Sequence, residues 1–252
     1  LSDGIVFGEN DKVRKVRKAS VDQTLSTIAY KKAEVRDNYN EITLMFKEFS
    51  LVFRAYDEGV AYRFTSSLKN GSNVLAEKAQ FNFAKDWDAY VPYVKQHTET
   101  LESQYWNSFE NTYSVQALSQ WNKERLAFLP VAVSAEGGMK VLITESDLVN
   151  YPGMYLYNEG GATTLSGRFA PYPKTVEYGG HNMLQGIVKE REGYLASCSA
   201  GESFPWRIIM VSTNDADLAV NDMVWKLGAP ADPDQDFSWV KPGKVAWDWW
   251  NA

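Results

Sequence analysis

The chain has 252 residues, 44% of them hydrophobic and 14% aromatic, enough apolar material for one large all-β unit or two modest domains around a real core. A formal net charge of −6 argues against nucleic acid as a partner, because phosphate binding needs a surplus of Lys and Arg. The single cysteine, Cys198, excludes an internal disulfide, and no apolar run approaches the roughly 20 residues of a membrane span.

The chain opens at Leu1-Ser2-Asp3-Gly4 with neither an initiator Met nor a signal peptide, the pattern expected of a piece of something longer. The basic cluster Lys12, Arg14, Lys15, Arg17 and Lys18 reads as a solvated strand or loop edge. The clearest β signal follows. Ile42, Leu44 and Phe46 alternate with Thr43, Met45 and Lys47. Leu51, Phe53 and Ala55 repeat the pattern, and after Asp57-Glu58-Gly59 so do Val60, Tyr62 and Phe64. This predicts an antiparallel meander with one buried face.

Residues 75–121 are polar and dense in aromatics, without a sustained period. They read as a long structured excursion with one helical turn over residues 86–90, either lining a cleft or padding a sandwich edge. Strands resume over residues 126–133 and, after Glu136-Gly137-Gly138, over 139–143, which delivers the lone carboxylate Glu145 to a strand tip. A carboxylate there either ends the strand in water or serves as a ligand. Tyr151-Pro152-Gly153 turns the chain into residues 154–157. Further strands are expected over 163–169 and 206–212, while the state of residues 215–227 stays open. Strand after strand with Gly-rich turns predicts an all-β sandwich.

Nucleophilic and metal motifs are sparse. Cys198 reads as a buried structural thiol, and His97 and His181 are too far apart in sequence to advertise a metal cluster. Asp232, Asp234 and Asp236 imitate a calcium loop, but Phe237 stands where Gly is needed and Gly243 where a bidentate Glu is needed. They read as a solvated linker. Nine Trp suit either a sandwich core or sugar recognition, since a sugar's C–H face packs on an aromatic face.

The linker leads into Trp239-Val240-Lys241-Pro242-Gly243-Lys244-Val245-Ala246-Trp247-Asp248-Trp249-Trp250-Asn251. This run resembles the segment joining the N-terminal β-super-sandwich to the catalytic barrel in glycoside hydrolase family 97. Ile143-Thr144-Glu145-Ser146-Asp147-Leu148, Tyr151-Pro152-Gly153-Met154-Tyr155-Leu156 and Phe169-Ala170-Pro171-Tyr172-Pro173 resemble that same N-terminal domain. The resemblance implies a large antiparallel β-super-sandwich of galactose-mutarotase-like fold over residues 1–229. Residues 230–252 would then be a linker and the first strand of a (β/α)8 barrel cut short.

It further implies an exo-acting, calcium-dependent hydrolase of α-linked glucosides or galactosides, working in the periplasm of Bacteroides-type bacteria. Both catalytic carboxylates would belong to the barrel, the partner domain within the same polypeptide. The calcium would be shared between domains, with Glu145 as the sandwich's ligand and little affinity in the sandwich alone. Arg168 and Asp248 are candidates for contacts to the oligosaccharide's hydroxyls, against the alternatives of a surface ion pair and a barrel-bottom residue. Two other functions fit the same composition: a stand-alone carbohydrate-binding module, and a mutarotase-like epimerase, which the scarcity of His disfavours.

Overall fold

The computed structural model describes residues 1–243 apart from 3, 10, 29, 95–99, 107–108, 161, 233 and 242. The sequence-based expectations for His97 and Asp248 lie outside the described residues. The described elements are β1 (Lys15–Ser26), β2 (Glu34–Met45), β3 (Phe49–Tyr56), β4 (Gly59–Ser66), β5 (Ser72–Val74), β6 (Gln80–Asn82) and β7 (Asp88–Val91). They continue with α1 (Leu101–Gln104), β8 (Ser114–Ala117), β9 (Val131–Ser134), β10 (Lys140–Ser146), β11 (Met154–Tyr157) and β12 (Thr164–Phe169). β13 (Pro173–Gly179), β14 (Gln185–Arg191), β15 (Ala196–Cys198), β16 (Trp206–Ser212), α2 (Asp215–Ala219) and α3 (Met223–Leu227) complete the series.

The expected all-β, antiparallel architecture is what the chain adopts. A nine-stranded sheet runs β1-β2-β3-β4-β16-β10-β9-β7-β8, faced by a three-stranded sheet β11-β12-β6 and the pair β15-β5. The meander β1 to β4 forms because alternating apolar residues give each strand a face to bury and short turns pair it with its neighbour. At the β3–β4 turn glycine is required: Gly59 has φ +154, and an added Cβ would lie 2.4 Å from the carbonyl oxygen of Ile209.

Each face of the large sheet carries its own core. Between the sheets, Val91, Val133 and Ile143 pack on Leu156, Leu165 and Phe169. On the opposite face, Trp206, Ile208 and Met210 of β16 pack with Ala61, Tyr39 and Tyr56 beneath Met223 and Leu227 of α3. β16 is therefore covered on both sides, Ile209 turning to the inter-sheet core. Lys15, Arg17 and Lys18 of the basic cluster lie on β1 and Lys12 and Arg14 just before it, all exposed at the sheet's outer edge, where like charges discourage pairing with another strand.

Three expectations are corrected. Residues 86–90 hold no helical turn. Ala89 and Val91 are fully buried, and β7 pairs with β8 and β9, so the core enforces an extended chain. The helical turn falls instead at α1, capped by the Thr100 hydroxyl accepting from the Ser103 amide at 3.2 Å. The strand expected over 126–133 is regular only from Val131, since Pro130 has no N–H for a ladder. In β2 the buried positions are Val35, Asp37 and Tyr39, whereas Ile42 and Leu44 are half-buried. Alternation tells which residues share a face, not which length of strand a second layer will cover.

Candidate functional site at the end of strand β10

Glu145 sits one residue before the end of β10, directly opposite Arg207 of β16. Ile143 and Glu145 share the inter-sheet face, while Leu142 and Ser146 turn toward α3, where the Ser146 hydroxyl donates to the carbonyl of Val224 at 2.5 Å. The Glu145 side chain is 9% exposed, so the carboxylate is not a solvent-facing tip. Its Oε2 accepts from Arg207 Nη1 at 2.5 Å, and its Oε1 accepts from the Met154 amide at 2.9 Å. A single carboxylate thus ties β10 to β16 and, across the layer, to β11.

Arg207 is the centre of this cluster, its side chain 2% exposed. Its other nitrogens fork onto Glu77: Nε donates to Oε1 at 2.9 Å and Nη2 to Oε2 at 2.7 Å, while the Tyr151 hydroxyl donates to Oε2 at 2.8 Å. The guanidinium also lies 5.1 Å from the Phe169 ring centroid. Burial works against its charge, but Glu77 and Glu145 outweigh burial and hold it firmly protonated. Two carboxylates share one guanidinium, leaving the cluster one negative charge in excess. Burial pushes Glu145 up to about 6, with Arg207 and the Met154 N–H opposing and Glu77 adding to the rise.

The next acid faces the other way. Asp147 has φ +61, a left-handed conformation that Asp tolerates better than most residues. Its carboxylate accepts from Arg63 Nη1 at 3.0 Å and from the Ala229 amide at 3.2 Å. On that face Arg54 and Arg63 lie 5.0 and 4.4 Å from the Trp206 ring, opposite in the sheet from Arg207.

Arg168 is not gathered into the Glu145 cluster. It projects from the outer face of β12, half-buried, 5.8 Å from the Tyr157 ring, whereas its neighbour Phe169 points inward. Cys198 is buried as expected, its thiol raised to about 11 by burial. Asp232 and Asp236 accept from the backbone amides two residues on, Asp234 and Ser238, closing local turns. Much of the aromatic content serves packing: Trp121 and Trp206 are buried, while Trp106 and Trp239 are exposed.

Calcium takes six to eight oxygens, and among the described residues no group of three or more His, Cys, Asp or Glu could hold a metal ion. The chain offers one donor rather than a shell. That donor is suitable in kind: each Glu145 oxygen accepts one hydrogen bond and keeps a second acceptor position. Gly153 leaves one flank of Oε1 uncovered, where an added Cβ would lie 3.4 Å away.

Residues 2–230 match the family model described as Glycosyl-hydrolase 97 N-terminal. The chain belongs to this family. It is 49% identical over 253 aligned positions to a "Retaining alpha-galactosidase" of Bacteroides thetaiotaomicron, an alignment covering 100% of this chain and 38% of that protein. A "Probable retaining alpha-galactosidase" of Streptomyces bingchenggensis is 28% identical over 206 positions, 80% of this chain and 26% of that one. Among solved structures, a glycoside hydrolase family 97 enzyme from Pseudoalteromonas sp. strain K8, in complex with acarbose, shares the fold. Its TM-score is 0.71 at 23% identity, over 92% of this chain and 32% of that chain. The family 97 domain thus spans about two fifths of the first relative's length.

Arg207, Glu77 and Tyr151 are the members of this family 97 domain's cluster that sequence reading missed. One signal was present: Arg207 interrupts the apolar run of β16, and a charge inside a doubly covered strand demands a buried partner. Glu77 carried no such mark, lying in an irregular segment 130 residues away.

Proposed function

We propose that this family 97 domain is the N-terminal part of an exo-acting retaining α-galactosidase. Residues 1–229 would form the domain and residues 230–252 would lead into a catalytic barrel. The observation that carries the reading is the 49% identity, over the whole chain, to the retaining alpha-galactosidase of Bacteroides thetaiotaomicron. Retention requires an acid and a nucleophilic carboxylate roughly 5–5.5 Å apart, and the reading assigns both to the barrel. The domain's own part is to close one side of the active site and present Glu145, held by Arg207 and the Met154 amide, as one calcium ligand. Calcium, when bound, supplies fixed positive charge beside the sugar. The reading extends to action in the periplasm, which osmotic-shock fractionation of the native host tests.

The full-length gene product should cleave p-nitrophenyl α-galactoside in preference to the α-glucoside, and release α-galactose first by proton NMR. Glucoside preference, or β-galactose released first, overturns the reading. For the metal, Glu145→Gln in the full-length enzyme should weaken calcium binding by about tenfold or more in calorimetry, since a charged ligand's contribution is lost. Unchanged affinity would remove Glu145 from the calcium shell and leave the galactosidase assignment standing.

A further inference from the structure

On the α3 face of the large sheet, opposite the Glu145 cluster, lies a groove of about 1030 Å³. That is just above the roughly 300–1,000 Å³ of common ligand pockets, room for an extended ligand rather than a single small one. Its floor carries Arg54, Arg63 and Asp147, one wall is the end of β1, residues 23–26, and the other is residues 224–231. Both walls are fixed. Gln23 donates to the buried Asp37 at 3.0 Å, and Tyr30 stacks on Trp225 of the opposite wall with centroids 5.2 Å apart.

The floor presents a donor and an acceptor side by side. The Arg63 guanidinium lies 4.4 Å from the Trp206 ring centroid, and its Nη1 donates to Asp147 Oδ2 at 3.0 Å. Arg63 Nη2 donates to no group among the described residues. Asp147 accepts one hydrogen bond on each oxygen and keeps further acceptor positions. The two side chains are 22% and 15% exposed, and both line the groove.

That pairing selects a kind of ligand. A phosphate or carboxylate drawn to Arg63 would be repelled by Asp147 beside it, and Arg54 is already matched by Glu41 at 2.9 Å, so the floor has no surplus of positive charge for an anion. A neutral hydroxyl uses both halves of the pair, accepting from the guanidinium and donating to the carboxylate, and neighbouring hydroxyls on a sugar ring repeat the match. Ile28 and Trp225 add apolar lining for the ring's C–H face. We propose that this groove binds a neutral oligosaccharide of the α-galactoside class, with adjacent ring hydroxyls on Arg63 and Asp147. The choice of α-galactosides rests on the proposed function, and the recognition of hydroxyls rests on the groove.

Val224 on the groove wall and Val176 on the β13–β14 hairpin are each 42% exposed, so the hydroxyl-radical oxidation of one is read against the other, and scavenging by sugar slows both alike. The measurement uses the unmodified full-length polypeptide, with an iminosugar inhibitor saturating the catalytic site and stachyose, a neutral α-galactoside, as the probe. Stachyose at about 10 mM, enough to fill a site with a Kd of about 1 mM, should lower the Val224-to-Val176 ratio at least threefold, and protect Ile28 with it. A ratio that does not move overturns the inference. So does a ratio already threefold low before stachyose is added, which would mean that another surface fills the groove, or an equal fall with glycerol, which would mean a solvent effect. Arg63→Lys keeps a charge opposite Asp147 but loses the second nitrogen of the fork, and should raise the stachyose concentration for half protection at least fivefold. Unchanged binding by that variant removes Arg63 from the site and overturns the proposal, and if the variant does not fold, the footprint of the unmodified protein decides. An active full-length galactosidase without protection at Val224 removes this inference alone. A full-length chain that leaves p-nitrophenyl α-galactoside intact removes the proposed function.

Discussion

Arg207 is the residue on which the interior of this domain depends, because a guanidinium 2% exposed has traded all of its hydration for two carboxylates and two aromatic rings. Arg207→Met removes the cation and strands Glu77 and Glu145 together. The expected cost is about 3–5 kcal/mol, read as a lower urea midpoint with unchanged slope. Arg168→Ala, which loses a half-buried guanidinium hydrogen-bonded to Tyr105 and Tyr157, should cost less, about 1–2 kcal/mol in the same measurement. Glu145 adds a pH signature. Its folded-state value of about 6 lies above the usual 4.5, so the folded protein binds this proton more tightly than the unfolded chain does. The contribution is fully present below about 4.5 and lost as pH rises through about 6, so it favours acid by roughly 2 kcal/mol. Urea midpoints for wild type and Glu145→Gln at pH 7 and pH 5 should diverge accordingly, the variant lacking this gain. Glu145 was legible in the sequence as a lone acid on an apolar strand. Its partner was not, because Arg207 is 62 residues away and only strand pairing sets them side by side.

Among the elements, the meander was the most readable because its alternation and its Gly59 turn are local properties of the chain. The short helices were not. α2 and α3 have five residues each, too few for a period of 3.6 to declare itself, and they hold through caps and contacts. The Asn214 side chain accepts from the Ala216 amide at 3.1 Å, and Asp222 before α3 gathers Tyr30, Lys31 and Lys32 from the β1–β2 connection. Burial raises the Asp222 carboxyl, but Lys32, Tyr30 and Lys31 outweigh it and hold the group below its usual value. Asp222→Ala should therefore loosen the connection, with faster amide exchange over residues 27–33 and a loss of about 1–3 kcal/mol. Unchanged exchange there would show that the Tyr30–Trp225 stack suffices alone.

At the scale of the whole molecule the two faces of the large sheet divide the work. The inter-sheet face holds the Glu145 cluster and the other holds the groove, with β16 presenting Arg207 to one and Trp206 to the other. If Glu145 ligates calcium in the full-length enzyme, calcium should raise the melting temperature by mass action, and Glu145→Gln should need at least tenfold more calcium for the same rise. Differential scanning calorimetry over a calcium series reads this directly, and identical series for the two proteins would exclude the role. The sequence by itself determined the all-β class, the hairpin rhythm and the family, because alternation, turn residues and long motifs are written in neighbouring positions. Only the tertiary structure decided that Glu145 is an internal ion-pair partner rather than a bare strand tip, that Arg168 lies on another surface, and that Asp37 ends beneath a groove. Those outcomes depend on which strand is covered by which layer, and that is settled by contacts between residues far apart along the chain.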